Sequence, residues 1–227
     1  PVFNNFTVPI PIEPRWKDHQ DLYSYYHYWS GQHKGGDTIS FNVRLCSDRA
    51  AKVHLPLFAM PQSGEHSSIP LSPQEQRANT YTFLVGGARG IYYFTWPVIH
   101  QITYDCIKQL AAEIETLTPA LTRKRPKQEV ITTGVSDVDR VVDAALLVTP
   151  EEELIFMVVN RGYRPADVVY RLDWLDDGAT LERMFGPKTV LRVADHAAAE
   201  HLDMLQTRVY RVLGHRRTDP KRAYHVV

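Results

Sequence analysis

Residues 71–96, LSPQEQRANTYTFLVGGARGIYYFTW, carry the clearest local signals in the chain. The SPQE motif at 72–75 combines an N-cap serine, a proline at the first helical position and a capping-box glutamate, which predicts the start of a helix. The glycine pair at 86–87 predicts its end. The apolar run at 90–96 then predicts a buried strand. This stretch is therefore one helix–strand unit of an α/β protein.

The sequence around this unit continues the same alternation from residue 1 to residue 121. The apolar spacing predicts strands at 1–8, 21–29 and 53–60, and helices at 37–51 and 99–117. Alternating strands and helices are typical of parallel β/α units. Cys46 and Cys106 fall on the apolar faces of the two flanking helices, which predicts buried, inert thiols.

The pattern changes after a basic, proline-bounded segment, TPALTRKRPK at 118–127. We expect a half barrel at 1–121, a linker at 122–128, an antiparallel β-sandwich at 129–214 and a polar tail at 215–227. The sandwich is predicted because short β-type runs alternate with turn residues. These runs are 141–149, 153–160, 167–175, 180–185, 189–194 and 207–213.

Composition excludes several classes of function. The chain has 227 residues, with 26 Lys and Arg balancing 26 Asp and Glu, whereas a nucleic-acid binder needs a surplus of cations. No apolar run approaches the roughly 18 residues of a membrane span. His27, His54 and His66 match no metal-ligand spacing, and no glycine-rich phosphate loop is present, so we expect neither a metal nor another cofactor.

The candidate site lies at the carboxyl ends of the predicted strands, where β/α barrels place their chemistry. Amides, aromatic rings and a single nearby carboxylate suit a neutral, polyhydroxylated ligand. The candidate ligand-binding residues are Asn5, His27, Tyr28, Trp29, Gln62 and Trp96, and the candidate catalytic carboxylate is Glu65.

Several segments in order resemble the second half of a glycoside hydrolase (β/α)8 barrel, and most closely the β-galactosidases of glycoside hydrolase family 42. PVFNNFT (1–7) and DLYSYYHYW (21–29) resemble the fifth- and sixth-strand segments of that family, and LPLFAMPQS (55–63) resembles the seventh. Residues 71–96 resemble the seventh helix and eighth strand. The region 130–213 is similar to the small β-sandwich that closes many such enzymes. The resemblance implies α/β plus all-β architecture: the carboxyl-terminal half of a TIM barrel followed by a sandwich.

The resemblance carries the family's catalytic roles over only in part. Retaining glycosidases use two carboxylates about 5–5.5 Å apart. The family's nucleophile is a glutamate at the position that Pro61 occupies here, and a proline cannot attack an anomeric carbon. Glu65 is the nearest carboxylate, either a replacement or a surface acid. Trp96 matches the aromatic platform beneath the sugar, and His27 and Tyr28 match polar residues that contact sugar hydroxyls.

Three hypotheses follow. The first is a fragment of a glycosidase that cleaves O-glycosyl bonds in a neutral oligosaccharide or polysaccharide. The chain begins with Pro1 instead of Met, so we expect the acid/base residue to precede it and the chain alone to be inactive. The second is a non-catalytic carbohydrate-binding relative that lost the nucleophile at Pro61. The third is an assembly domain, because a half barrel exposes sheet edges that favour self-association or pairing with the missing half. Nothing in the sequence indicates the compartment.

Overall fold

The computed structural model describes nine segments of the chain, which divides into two compact units, Pro1–Glu115 and Thr116–Val227. The described residues are 3–6, 19–27, 35–63, 71–94, 100–123, 131–132, 141–172, 175–214 and 225–226. Within them, no helix is both long enough and apolar enough to cross a bilayer.

The first unit is built on a four-stranded parallel sheet whose strand order follows the chain. Its strands are β1 (Phe3–Phe6), β2 (Leu22–His27), β3 (Leu57–Pro61) and β4 (Gly90–Ile91). Helix α1 (Gly35–Lys52) comes between β2 and β3, α2 (Pro73–Gly86) between β3 and β4, and α3 (Gln101–Leu121) after β4.

Helices α1 and α2 pack on the same face of this sheet. Two right-handed crossovers that step in one direction along a sheet put their helices on one side. The side-chain contacts agree: the Cys46 thiol of α1 lies 3.9 Å from the Tyr23 hydroxyl, and Phe83 of α2 packs on Tyr25 with ring centroids 5.9 Å apart. This one-sided arrangement is that of a barrel wall, not of a doubly wound sheet with helices on both faces.

Helix α2 begins and ends as its sequence predicts. The Ser72 hydroxyl accepts from the Glu75 amide at 3.2 Å, and a Glu75 carboxylate oxygen accepts from the Ser72 amide at 2.8 Å, which completes the capping box. Gly87 caps the other end in the left-handed region, with φ of 120°. The buried thiols are also confirmed, because Cys46 is fully enclosed and Cys106 nearly so.

Element boundaries differ from the sequence-based ones at several places; β4, for example, ends at Ile91 instead of residue 96. Two other differences have a local cause. Strand β3 begins at Leu57 instead of residue 53, because the end of α1 closes in a turn with His54 at a φ of 60°. Helix α3 continues to Leu121, past the break expected at residue 118. Pro119 removes only one amide donor, and the Thr122 amide still donates to the Thr118 carbonyl at 3.0 Å.

The second unit contains two β-sheets packed face to face. The larger has the order β10-β9-β12-β7-β6 and is antiparallel; the smaller has the order β11-β8-β13-β5, with one parallel pair, β5 and β13. The strands of the larger sheet are β6 (Val142–Val148), β7 (Leu154–Asn160), β9 (Thr180–Arg183), β10 (Val190–Arg192) and β12 (Thr207–Leu213). Those of the smaller are β5 (Ile131–Thr132), β8 (Ala166–Arg171), β11 (Ala197–Leu202) and β13 (His225–Val226).

One hydrophobic core holds the two sheets together. The Phe156 ring of β7 meets the Tyr170 ring of β8 edge to face, with centroids 5.0 Å apart, and both rings are fully buried. The architecture therefore agrees with the predicted class in its coarse form, a partial β/α barrel followed by β-sheets.

Two details of this unit were not predicted. Strand β11, AAAEHL, was missed because alanine and glutamate have low β-propensity; a two-residue turn with Asp195 and His196 both at positive φ folds it back from β10. The prediction of a polar tail at 215–227 was wrong in part. His225–Val226 form β13, because their backbone pairs with β8 on one side and β5 on the other.

Candidate functional site

The strand register divides the first sheet into two faces. Tyr23 and Tyr25 point to α1 and α2, and the Tyr93 hydroxyl lies 3.0 Å from the Thr80 hydroxyl of α2. Side chains alternate along a strand, so these contacts assign every described position to the helix side or to the opposite side. We call the side opposite to α1 and α2 the inner face, because it would line the interior of a closed barrel.

The inner face combines buried polar groups with half-buried aromatic rings. Register pairs Ser24 with Phe58 and Tyr26 with Met60, and an isolated bridge pairs Gln62 with Phe94. Ser24 and Gln62 are fully buried and Leu22 nearly so, whereas Phe58, Met60 and Phe94 are only partly covered. The inner-face positions of the described strands are Phe3, Asn5, Leu22, Ser24, Tyr26, Phe58, Met60, Gln62, Gly90, Tyr92 and Phe94.

Two contacts order the middle of this face. The hydroxyls of Ser24 and Tyr92 are hydrogen-bonded to each other. Gly90 lies beneath the Phe58 ring so closely that an added Cβ would be 2.3 Å from Phe58 Cε1. Only glycine fits at residue 90, and its absent side chain gives the Phe58 ring its place on the inner face.

The carboxyl end of β3 is the most enclosed part of the site. Pro61, Gln62 and Ser63 are all buried. On the β4 side, the Phe94 amide donates to the Pro61 carbonyl at 3.1 Å, and the Ser63 amide donates to the Phe94 carbonyl. On the other side, the Gln76 side-chain amide donates to the Gln62 carbonyl at 2.9 Å.

The structure separates two residues that the sequence analysis grouped. His27 lies on the same side of β2 as Tyr25, with the two rings stacked at 6.4 Å and 8°. That is the helix side, opposite to Gln62. Burial lowers the pKa of His27, so its imidazole is neutral at pH 7.

The remaining predicted site residues are only partly placed. Asn5 pairs in register with Ser24, an inner-face position. Glu65, Tyr28, Trp29 and Trp96 lie outside the described residues. In the described part of the chain, no three His, Cys, Asp or Glu side chains come together as metal ligands would.

Four inner-face residues were not predicted from the sequence as part of the site: Ser24, Tyr26, Tyr92 and Phe94. A signal for them exists in the alternation within LYSYYH at 22–27, where every second residue shares a face. Alternation alone does not say which face carries helices, because both sets contain tyrosine. Contacts from α1 and α2 were needed to decide it.

Comparison with known proteins finds relatives of this fold. No protein-family model matches the chain, and no curated protein sequence matches it. Among solved structures, a variant of AmyP in complex with maltotriose has a TM-score of 0.54 at 9% identity, over 86% of this chain and 56% of that chain. The α-amylase of Geobacillus thermoleovorans, complexed with acarbose, has a TM-score of 0.52 at 12% identity, over 87% and 54%. An Anoxybacillus α-amylase has a TM-score of 0.51 at 12% identity, over 87% and 53%.

These structures share the fold of this chain. The similarity extends over most of the chain but over about half the length of each solved structure. The fold neighbours are glycoside hydrolases, and what they share with this chain is the fold.

Proposed function

We propose that this chain supplies half of a glycoside hydrolase-type barrel and binds a neutral saccharide on the inner face of its parallel sheet. The observation that carries the proposal is the end of β3. There the buried amide Gln62 stands beside the half-buried ring of Phe94, at the carboxyl end of parallel strands where barrels bind their ligands.

The chemistry of the inner face supports a neutral ligand. Its described residues are all uncharged, and they combine aromatic rings with hydroxyl and amide groups. A sugar ring offers apolar C–H faces to aromatic rings and hydroxyls to amides and tyrosines. An anionic ligand would need cations to balance its charge, and this face offers none among the described residues.

The finer assignment, a β-galactosidase-like enzyme of family 42, rests on the sequence resemblance. In that proposal the intact barrel cleaves a glycosidic bond through an oxocarbenium-like transition state, with Glu65 as the candidate carboxylate. The proposed sugar contacts are Asn5, Gln62, Tyr28, Trp29 and Trp96. His27 lies on the helix side of β2, so it is not among them.

The alternative, a carbohydrate-binding protein without catalysis, is favoured by Pro61. By the sequence resemblance this residue occupies the family's nucleophile position; it is buried and pairs in register with His27. Because it pairs with His27, Pro61 lies on the helix side of the sheet. Its hydrocarbon side chain has no nucleophilic atom. A catalytic carboxylate would have to come from another position.

Isothermal titration of the 227-residue chain with maltotriose and with lactose tests binding. We expect one of the two to bind, and Gln62→Ala to weaken that binding about tenfold or more. Gln74→Ala, at an exposed position on α2, is the control and should leave affinity unchanged. If neither sugar binds, the proposal is wrong.

Hydrolysis of 4-nitrophenyl β-galactoside and 4-nitrophenyl α-glucoside tests catalysis. We expect the isolated chain to release no nitrophenol above the buffer rate. Turnover that disappears in Glu65→Gln, with binding retained, would instead favour the enzyme and assign Glu65 a catalytic role.

A further inference from the structure

We propose that Gln76 is a positioning residue of the saccharide site, which holds the Gln62 peptide so that the Gln62 side chain is presented on the inner face. This inference rests on the proposed function. Gln76 belongs to α2, on the other side of the sheet from the inner face, so it would act only through Gln62.

The backbone carbonyls at the end of β3 bond to different neighbours. Successive carbonyls of a strand point to opposite neighbours. The Pro61 carbonyl accepts from Phe94, on the β4 side, so the Gln62 carbonyl points towards β2. Within the described residues, the β2–β3 pairing extends to His27 and Pro61. The Gln76 side-chain amide donates to the Gln62 carbonyl at 2.9 Å.

Gln76 is itself held firmly. Its backbone amide donates to the Ser72 carbonyl at 2.8 Å, in the turn that the capping box closes. Its carbonyl accepts from the Thr80 hydroxyl at 2.9 Å, and that hydroxyl also contacts Tyr93. This donor and the bond from the Ser63 amide to the Phe94 carbonyl hold the two edges of the peptide that joins Gln62 and Ser63, and alternation directs the Gln62 side chain to the inner face.

The amide oxygen of Gln76, Oε1, indicates that this side chain does more than fill space. Gln76 is fully buried, and within the described residues its Oε1 has no hydrogen-bond partner. An unsatisfied buried acceptor is unfavourable. A methionine of similar size would fit the same space without that atom, so packing alone does not account for a glutamine.

The variant Gln76→Met separates positioning from stability. It removes the donor to Gln62 and also the unsatisfied Oε1, so these two effects on stability oppose each other and the melting temperature should stay within a few degrees. We expect maltotriose or lactose, whichever binds the wild-type chain, to bind about tenfold more weakly. The matched control is Gln74→Met on the exposed side of α2, with unchanged affinity.

A double-mutant cycle tests whether Gln76 acts through Gln62. In the Gln62→Ala background, Gln76→Met should cause no further loss of affinity, because the side chain that it positions is gone. Additive losses would assign Gln76 a general structural role and overturn the inference.

The variant Gln76→Glu adds a pH-dependent rescue. A buried carboxylate cannot donate to the Gln62 carbonyl, but its protonated form can, and burial favours protonation. The affinity of this variant for the sugar, relative to wild type, should therefore recover as the pH is lowered from about 8 to about 5. No recovery, or wild-type affinity in Gln76→Met, would refute the positioning role, whereas absence of any sugar binding by the wild-type chain would refute the proposed function itself.

Discussion

Arg77 of α2 and Glu113 of α3 form a two-bonded salt bridge, with nitrogen–oxygen distances of 2.7 and 2.8 Å. The Tyr81 hydroxyl donates to the same carboxylate at 2.6 Å, and the Arg77 guanidinium lies 5.0 Å from the centre of the Tyr81 ring. Burial alone lowers the pKa of Arg77, but its bonds to Glu113 outweigh that effect and raise it. The Glu113 carboxylate of α3 thus binds two groups of α2, the Arg77 guanidinium and the Tyr81 hydroxyl.

We predict that Glu113→Gln lowers the free energy of unfolding by about 2–3 kcal/mol, because an amide would direct a donor at groups that are themselves donors. Urea denaturation monitored by circular dichroism measures the change. Glu115→Gln, at an exposed position on the same helix, is the control and should stay within about 0.5 kcal/mol of wild type. Equal effects of the two substitutions would contradict the prediction.

Close packing of α1 on α2 leads to a second prediction. An added Cβ at Gly86 would lie 2.1 Å from Val43 Cγ1. Alanine is otherwise favoured over glycine in a helix by about 1 kcal/mol, but here the overlap forces the helices apart. Gly86→Ala should therefore destabilise the protein by about 1–3 kcal/mol.

The compensating variant for this contact is Val43→Ala. The double variant Val43→Ala/Gly86→Ala should recover part of the stability lost in Gly86→Ala, because the clashing methyl groups are gone. Thermal unfolding of the four proteins of this cycle gives the coupling. A stabilised Gly86→Ala variant would show that the helices separate at little cost.

How far the sequence anticipates the fold depends on whether the signal is local. The capping box at Ser72 and the glycine cap at Gly87 involve neighbours in the chain, and both were predicted. Strand β11 depends on pairing with β8, which lies more than 25 residues earlier in the chain, so its alanine-rich sequence was misleading. Strand β13 likewise exists only through its partners.

The candidate site shows the same limit. The sequence placed Asn5 and Gln62 at strand ends, and the register puts both at inner-face positions. The sequence could not show that His27 and Gln62 lie on opposite sides of the sheet, because the relative register of β2 and β3 is a tertiary property. Nor could it find Gln76, whose partner Gln62 lies 14 residues away across the β3–α2 connection.

Cys46 supplies a prediction about pH. Burial raises the pKa of its thiol from the ordinary 9.0 to about 11. Between these two values the folded thiol keeps its proton while the unfolded thiol loses it, so the free energy of unfolding falls as pH rises. The contribution of the protonated Cys46 thiol to the free energy of unfolding is present in full below about pH 9 and is lost by about pH 11. The change is about 2–3 kcal/mol.

Urea denaturation at several pH values across this window measures the slope. Tyrosines titrate in the same range, so the informative quantity is the difference between wild type and Cys46→Ala. The variant should lose stability less steeply as pH rises, although it is less stable at pH 7 because of the cavity. Parallel curves would mean that the buried thiol ionises at its ordinary pKa.

The last prediction concerns Glu200, whose carboxylate links the two sheets of the second unit. It accepts hydrogen bonds from Tyr170 of β8 and from Tyr210 of β12, the latter at 2.7 Å, and Arg208 Nε lies 3.7 Å away. Both tyrosines are fully buried, and the Glu200 side chain is 8% exposed. Glu200→Leu would leave two buried hydroxyls without their acceptor and should cost about 2–5 kcal/mol.

Glu200→Gln keeps one acceptor oxygen, so its cost should be about half as large. Asp167→Asn on the neighbouring strand β8 is the control, since its side chain is 92% exposed and its ion pair with His201 is open to water. Guanidinium denaturation ranks the three variants by stability. Glu200→Leu should be the least stable, Glu200→Gln intermediate and Asp167→Asn the most stable. If Glu200→Leu were as stable as Asp167→Asn, the apolar core around Phe156 would hold the two sheets together without help from this carboxylate.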